Sequence, residues 1–169
     1  TVTVTNAVAI SGSTAEATAA LVTADTLVVV EDATVTLNDN PSITALNDIA
    51  AKTSGVVTAT LDAASLSDLG SLDTASTDVI TVTVNDADSA AVDATDLSTL
   101  GGKTAGTVTV TNAVAISGST AEATAALVTT DTLVVAGTAT VTLNDANSAA
   151  IDATDLSAIG NKTTGTVTV

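Results

Sequence analysis

Four aspartates stand where the sequence could hold a cation. Asp39, Asp86, Asp88 and Asp145 lie in short Asn/Asp-rich stretches, each directly after a run of alternating Thr and Val or Leu. Carboxylate and amide oxygens grouped in a turn are the ligands that Ca²⁺ prefers. The stretches contain neither an EF-hand loop nor a glycine-rich calcium nonapeptide. Ca²⁺ binding by these four residues is therefore one hypothesis, and the sequence suggests no other cofactor.

The same stretches have a second interpretation, which the sequence favours. Three of their residues are types that cap helix N-termini, and each precedes a helical pattern: Asn40, Asp88 and Asn147. The aspartates one or two places earlier in each stretch would then fill turn positions. Because capping also explains the helical patterns that follow, it is preferred over the metal site.

The composition lacks catalytic machinery. There is no His and no Cys, so Ser-His-Asp and Cys-His catalysis and the common zinc sites have no residues to use. Gly102-Lys103-Thr104 resembles the end of a phosphate-binding loop, but Leu97 stands where that motif requires its first glycine. Two aspartate pairs at spacing three are typical of a solvated helix face: Asp93 with Asp96, and Asp152 with Asp155. The sequence predicts a protein that is not an enzyme.

Alternating threonines are a third candidate feature. If the strands stack in register, their hydroxyls would form rows on one sheet face, and such T-x-T rows resemble the ice-binding surfaces of some antifreeze solenoids in this local feature only. The other interpretation is that Thr is simply the polar residue of an alternating strand. The threonines concerned in the first copy are Thr1, Thr3, Thr5, Thr34, Thr36, Thr58, Thr60, Thr81 and Thr83.

These residues belong to a chain that repeats itself. Residues 1–23 and 107–129 are identical, 106 residues apart, and residues 85–106 recur with few changes at 144–165. Strand-like patterns separated by helical ones begin near Thr1, Thr26, Val56, Val79, Thr107, Thr132 and Thr166. Spacings of 23–34 residues are typical of strand-plus-helix repeats, and this order of elements implies parallel pairing. The predicted fold is α/β, a strand-plus-helix solenoid with a parallel β-sheet and about six turns.

The repeat also predicts the domain organisation. A first large repeat covers residues 1–106, with turns at 1–25, 26–55, 56–78 and 79–106. A partial second repeat covers 107–169, with turns at 107–131 and 132–165 and the start of another strand at 166–169. The second repeat omits the middle turns, so the turns behave as interchangeable modules. Some turns contain a second apolar run, such as residues 7–10, which could form a second sheet. The sequence therefore leaves the number of sheets per turn open.

Local signals mark where the helices should begin and end. Ser13 with Glu16, and Ser119 with Glu122, form S-x-x-E capping boxes. Asn40-Pro41 predicts a helix that begins with proline at its first position. All three lysines lie in K-T-x-G motifs, at 52–55, 103–106 and 162–165. There a cation in the last helical turn and a glycine with positive φ would end the helix.

Charge and hydropathy exclude some classes of partner. Nineteen acidic residues against three lysines give a formal net charge of -16, which repels nucleic acid and anionic membrane surfaces. The apolar fraction is 46%, without aromatic residues, so the chain should fold around a thin core of Val, Leu, Ile and Ala. The apolar runs are too short to span a bilayer, so neither nucleic acid binding nor membrane insertion is expected.

Two motifs carry a family resemblance across nearly the whole chain. S-G-S-T-A-E-A-T-A-A-L and D-A-T-D-L-S-x-[LI]-G-x-K-T-x-G-T-V-T-V resemble the Ala/Thr/Asp-rich repeats of very large secreted bacterial surface or adhesin-like proteins, frequent in cyanobacteria. The resemblance implies an extracellular or cell-surface location. It also implies contact with neighbouring repeats, either end to end between copies or along a longer chain.

The expected function is a structural module of an extracellular fibre, sheath or surface layer, built by end-to-end stacking of turns. The alternative is a binding module, either an adhesin stalk or an ice-binding surface with threonine rows, stabilised by calcium. The recurrence of TVTV at Thr166 predicts that a further turn would follow.

Overall fold

A computed structural model describes residues 2–169, which form parallel strands and short helices. The strands are β1 (Val2–Val4), β2 (Ala9–Gly12), β3 (Val28–Val30), β4 (Thr34–Leu37), β5 (Val57–Thr60), β6 (Val79–Val84), β7 (Ala91–Asp93), β8 (Val108–Val110), β9 (Ala115–Gly118), β10 (Val134–Val135), β11 (Thr140–Leu143) and β12 (Val167–Thr168). The helices are α1 (Thr14–Leu21), α2 (Ile43–Ala50), α3 (Leu66–Leu69), α4 (Ala94–Gly101), α5 (Thr120–Leu127) and α6 (Ala153–Gly160), with a 3₁₀ helix at Thr130–Thr132.

The α/β class and the parallel pairing of strands are confirmed. The predicted strand start at Thr1 lies outside the described residues. The other six predicted starts are each at, or within two residues before, the first residue of a strand. The coiling of the turns into a solenoid stays a prediction, and the predicted ranges are called segments below.

The chain divides into two compact units whose boundary does not follow the 106-residue repeat. Unit 1 comprises Thr1–Asp62, Ser71–Val82 and Lys103–Gly106. Within it β1 pairs with β3, and β2, β4, β5 and the first part of β6 form parallel neighbours in that order. Helix α1 packs against α2. Its most deeply buried side chains include Leu21, Val35, Leu46, Ile49, Val57 and Ile80.

Unit 2 comprises Ala63–Gly70, Thr83–Gly102 and Thr107–Val169. Within it β8 pairs with β10, and β7, β9, β11 and β12 form parallel neighbours in that order. Helix α5 packs against both α4 and α6. Its most deeply buried side chains include Leu97, Val114, Ile116, Leu127, Val141 and Ile159.

The period-two alternation of the sequence decides which side of a strand is buried. In β4, Val35 and Leu37 are buried, whereas Thr34 and Thr36 are exposed, and β11 repeats this pattern. Each fully buried Val or Leu side chain stabilises the fold by about 1.5–3 kcal/mol relative to exposure. In these strands the valines and leucines point inwards and the threonines outwards.

Most segments contain two strands rather than one, which answers the question that the apolar runs left open. The second strands are β2, β4, β7, β9 and β11. The segment at 56–78 has only an isolated bridge between Ala64 and Val84 in this role.

Three predicted N-caps were wrong. The N-cap residues are Ser42 for α2, Asp93 for α4 and Asp152 for α6, not Asn40, Asp88 and Asn147. Before α4, Ser89 adopts a φ of 62° and the next residues pair with β9 as β7. Strand pairing therefore delays the helix by five residues, and Val92 lies in β7. Pro41 correspondingly precedes the N-cap of α2 instead of opening the helix.

Candidate functional site

Two of the predicted metal-binding aspartates hold the first turn of a helix in the preceding segment. Oδ2 of Asp145 accepts hydrogen bonds from the backbone N–H of Thr120 at 2.9 Å and from its hydroxyl at 2.6 Å. Oδ1 of Asp39 accepts the same pair from Thr14, at 2.8 and 2.6 Å. Thr14 and Thr120 are the first residues of α1 and α5. Since helix N-termini carry free N–H groups and a partial positive charge, a carboxylate is a favourable partner there.

These bonds favour the charged carboxylate. The hydroxyl of Thr14, followed by its N–H, lowers the pKa of Asp39 below its ordinary value. The hydroxyl and N–H of Thr120 lower the pKa of Asp145 in the same way. Hydrogen bonds donated to a carboxylate stabilise its ionised form, so both links are strongest when these aspartates are deprotonated.

Asp86 and Asp88 also accept bonds from backbone groups of other segments. Oδ2 of Asp86 accepts from the N–H of Leu66, the first residue of α3, at 2.7 Å. Oδ1 of Asp88 accepts from the N–H of Ala113 in the next segment at 2.9 Å. All four Ca²⁺ candidates thus join segments through hydrogen bonds. Among residues 2–169, no cluster of three or more His, Cys, Asp or Glu side chains forms a metal site, and Ca²⁺ binding stays a hypothesis.

The predicted capping boxes are confirmed. The N–H of Ser13 donates to Oε2 of Glu16 at 2.8 Å, and Ser119 and Glu122 repeat this bond at 2.7 Å. Donation from Ser13 lowers the pKa of Glu16, and donation from Ser119 lowers that of Glu122. These caps act within one segment, whereas Asp39, Asp86 and Asp145 act across segments.

The predicted aspartate pairs each contribute a helix cap. Asp93 and Asp152 accept the N–H of the residue two places later, Thr95 and Thr154 respectively, at 2.7 Å. The backbone N–H of Thr154 is the main cause of the lowered pKa of Asp152. Their partners in the pairs, Asp96 and Asp155, lie in the first turns of α4 and α6.

The threonine of each K-T-x-G motif links the end of a segment to an earlier part of the same segment. The hydroxyl of Thr53 donates to the carbonyl of Ala33 at 2.6 Å and accepts the N–H of Gly55 at 3.0 Å. Thr163 makes the equivalent bonds to Ala139 and Gly165. This role was not predicted from the sequence, although the threefold recurrence of K-T-x-G was a signal for it.

Thr104 forms the most buried of these links. Its hydroxyl accepts the N–H groups of Ile80 at 2.7 Å and Gly106 at 2.8 Å, and it lies 2.9 Å from the carbonyls of Asp78 and Ile80. Because the side chain is 5% exposed, water cannot replace these partners. The bond network fixes the chain where one segment passes to the next.

The motif's glycine has a different purpose from the one predicted. No described glycine adopts a positive φ. Instead, a Cβ at Gly55 would lie 2.3 Å from the carbonyl oxygen of Ala33, and one at Gly106 or Gly165 would lie 2.2 Å from that of Ile80 or Ala139. Glycine is needed here because two backbones approach each other closely.

The predicted placement of the lysines in the last helical turn was also wrong. Each follows the C-cap residue directly, and none lies inside the helix. Nζ of Lys103 lies 3.3 Å from Oδ1 of Asp73. This ion pair is exposed and contributes little to stability.

The threonine rows are short. In unit 1, Ser11, Thr36 and Thr58 stand side by side on β2, β4 and β5, and Thr60 stands beside Thr81, but Val79 follows Thr58 in the row. In unit 2 the row that contains Thr142 also contains Ser117 and Asp93. The hydroxyl face is thus interrupted by other residue types.

No helix within residues 2–169 combines the length and apolar character needed to cross a bilayer. Compared with protein-family models, curated proteins and solved structures, the chain matches none of them.

Proposed function

We propose that this chain is a structural module of an extracellular fibre, sheath or surface layer, in which strand-plus-helix segments coil as a solenoid and stack end to end. Its partners are neighbouring segments or further copies of the same chain. Its location is extracellular or at the cell surface, and it has no catalytic role.

The observation that carries this proposal is the recurrence of the same links between successive segments. Asp39 holds Thr14 and Asp145 holds Thr120, in both cases 25 residues apart. Within their own segments, Thr53 and Thr163 bond in the same way to the carbonyls of Ala33 and Ala139. A chain that uses the same contacts to add each segment is suited to an array.

The exposed strands support stacking. Val135 is 47% exposed and lies in β10, a strand of two residues. Strands at a sheet edge present unpaired N–H and C=O groups that can pair with another strand. The charge of -16 keeps the array soluble and opposes association in low salt.

Electron microscopy with sedimentation at increasing protein concentration tests the proposal. We expect regular filaments or sheets, with an axial repeat that is a multiple of the spacing between strands, roughly 4.8 Å. A protein that stays monomeric at every concentration and salt level would contradict stacking between copies.

The alternative is an ice-binding or adhesive surface. The aligned hydroxyls of Ser11, Thr36 and Thr58 favour it, whereas the interruption by Val79 weakens it. Ice-crystal shaping by isolated monomers would support this alternative, and a Thr36→Val variant that abolished shaping would assign it to this row.

A further inference from the structure

The identical sequences at 1–23 and 107–129 have different environments. In the second copy, Val108 is 1% exposed, and Val114 and Ile116 are buried. In the first copy the equivalent Val2 is 61% exposed, and Val8 and Ile10 are only partly buried. Since the residues are the same, the difference comes from what lies against them. We call residues 6–26 of the first copy the leading face.

Residues 85–101 cover the second copy. Strand β7 pairs with β9, with Ala91 beside Ala115 and Val92 beside Ile116, and α4 packs against α5. The fit is close, since a Cβ at Gly101 would lie 2.2 Å from the carbonyl oxygen of Thr132.

The sequence of residues 85–101 also occurs twice in the chain, and its second occurrence is not packed against another segment in this way. Residues 144–160 repeat 85–101, and we call them the trailing face. Ala94 is 0% exposed and Leu97 is buried, whereas the equivalent Ala153 is exposed and Leu156 is only partly buried. Residues 150–152 form no strand, although the equivalent Ala91–Asp93 is β7.

Gly160, on the trailing face, has free space where a side chain would lie. Gly101 and Gly160 are equivalent, but nothing lies within 4 Å of a Cβ built at Gly160. Gly160 is exposed, whereas Gly101 is buried. The chain thus keeps a glycine at a position where its own fold has ample space for a side chain.

We propose that the trailing face of one copy binds the leading face of a second copy, in the arrangement that residues 85–101 and 112–132 adopt within the chain. This inference rests on the proposed function, because it specifies the junction by which copies stack. Ala150 would stand beside Ala9, and the carbonyl of Thr26 would lie over Gly160.

Polar groups for this junction are already in position. Inside the chain, the N–H of Ser89 donates to the carbonyl of Ala113 at 2.8 Å, and Asp88 accepts the N–H of Ala113. Ser148, equivalent to Ser89, has a φ of 66° against 62°, so the same turn is formed before any partner binds. Asn147 replaces Asp88, and its amide oxygen can accept the same bond.

The junction requires one exchange of strands. In the second copy a single tetrapeptide, residues 107–110, follows Gly106. At a junction between two copies, residues 166–169 of one copy and residues 1–4 of the other would both take the place of this tetrapeptide. One of them must leave, and β1 and β12 are only three and two residues long, so few hydrogen bonds are lost.

The contact uses two different faces, so each copy keeps one face free after binding. Such a head-to-tail contact continues as a filament unless its rotation closes a ring. This distinguishes it from a symmetric dimer, which would stop at two copies.

Cysteine crosslinking of the full chain tests the junction. The protein has no cysteine, and Ala9 and Ala150 are both exposed, so an Ala9→Cys/Ala150→Cys variant introduces the only thiols. Paired residues of neighbouring strands lie within the range for a disulfide. After oxidation we expect a ladder at multiples of 16.2 kDa on a non-reducing gel.

Matched variants test the register of the junction and the role of Gly160. Each single cysteine variant should stop at a dimer, and Ala9→Cys/Ala158→Cys, which places the second thiol on α6, should give no ladder. Gly160→Ala in the crosslinking background should weaken the ladder on the order of tenfold, because its Cβ would meet the partner's backbone. Gly70→Ala, at an exposed C-cap with φ of -58°, should leave it unchanged.

Two outcomes would overturn the junction, and they separate it from the proposed function. Wild-type filaments without a ladder from the Ala9/Ala150 pair, and unaffected by Gly160→Ala, would leave stacking standing but reject this contact. A wild-type protein that stays monomeric, with no ladder, would reject both and assign the leading face to a different occupant.

Discussion

The carboxylate of Asp145 accepts both the N–H and the hydroxyl of Thr120, at 2.9 and 2.6 Å, across 25 residues of sequence. Asp39 and Thr14 form the same relationship in the first copy. In each case the helix that begins at the threonine is tied to the segment that follows it. The link fixes the position of the helix relative to the neighbouring strand.

Removing this carboxylate should destabilise the protein. We expect Asp145→Ala to lower the midpoint of thermal unfolding, because two donors at the start of α5 lose their acceptor. Circular dichroism melts measure the change. Asp32→Ala is the matched control, since it removes one negative charge from an exposed loop. Equal midpoints for the two variants would show that the Thr120 bonds contribute nothing.

The contribution of this bond should depend on pH in one direction. The pKa of Asp145 in the folded protein lies below its ordinary value of 3.8, so folding favours the ionised form. The stabilisation is complete above the unfolded pKa and is lost as pH falls through the lower, folded pKa. The difference in unfolding midpoint between wild type and Asp145→Ala should therefore be constant above about pH 5 and shrink below pH 3.8.

Comparing the two proteins at each pH removes the general effect of acid. Acidification relieves repulsion within a chain of charge -16, and this relief is nearly the same in both proteins. A difference that grew towards low pH would have the wrong sign for an aspartate with a lowered pKa.

The same substitution at two equivalent glycines should have opposite effects. Gly101→Ala places a Cβ 2.2 Å from the carbonyl oxygen of Thr132, so we expect a loss of about 1–3 kcal/mol in the free energy of unfolding. Gly160→Ala meets open space at the end of α6, and alanine's better helix propensity should stabilise the fold by about 0.5–1 kcal/mol. Urea denaturation of dilute protein measures both. Losses of equal size would mean that a side chain at position 160 does not have free space around it.

Thr104 should matter more than its counterpart Thr163. Thr104→Val keeps the shape of the side chain but leaves the buried N–H of Ile80 without its 2.7 Å acceptor, which costs about 1–3 kcal/mol. Thr163 is only partly buried, so water can replace part of what Thr163→Val removes. Urea unfolding of both variants gives the comparison, and a larger loss at Thr163 would contradict the assignment.

Calcium and other salts should act alike. The four candidate aspartates already accept hydrogen bonds from backbone groups, and added cations screen the charge of -16. We expect Ca²⁺ and Mg²⁺ at equal ionic strength to raise the unfolding midpoint equally. A larger shift with Ca²⁺, lost in Asp86→Asn, would instead establish a calcium site.

Some of the structure was predictable because it depends on neighbours in the sequence. The capping box of Ser13 and Glu16 needs only residues three apart, and the burial of Val35 between exposed threonines follows from strand alternation. The second strands and the late start of α4 were not predictable in this way. Residues 91–93 pair with β9 rather than continue a helix, and local propensity cannot report a partner 24 residues away.

The candidate site shows the same division. The residue types alone indicated that the carboxylates of Asp39, Asp86, Asp88 and Asp145 could bind a partner through their oxygens. They did not indicate which backbone N–H groups these carboxylates would contact. The glycine of K-T-x-G was identified as necessary for the wrong reason, since its φ is ordinary and the nearby carbonyl is what excludes a side chain.

The sequence by itself determined the α/β class, the alternation of buried and exposed residues and the capping boxes, because each depends on local geometry and on the periodicity of apolar residues. Only the tertiary structure decided which segments meet. Two identical stretches of 23 residues cannot differ in local preference, yet Ile116 is buried and Ile10 is partly open. That difference arises because burial is a property of the neighbour, and the second copy lies against α4 and β7.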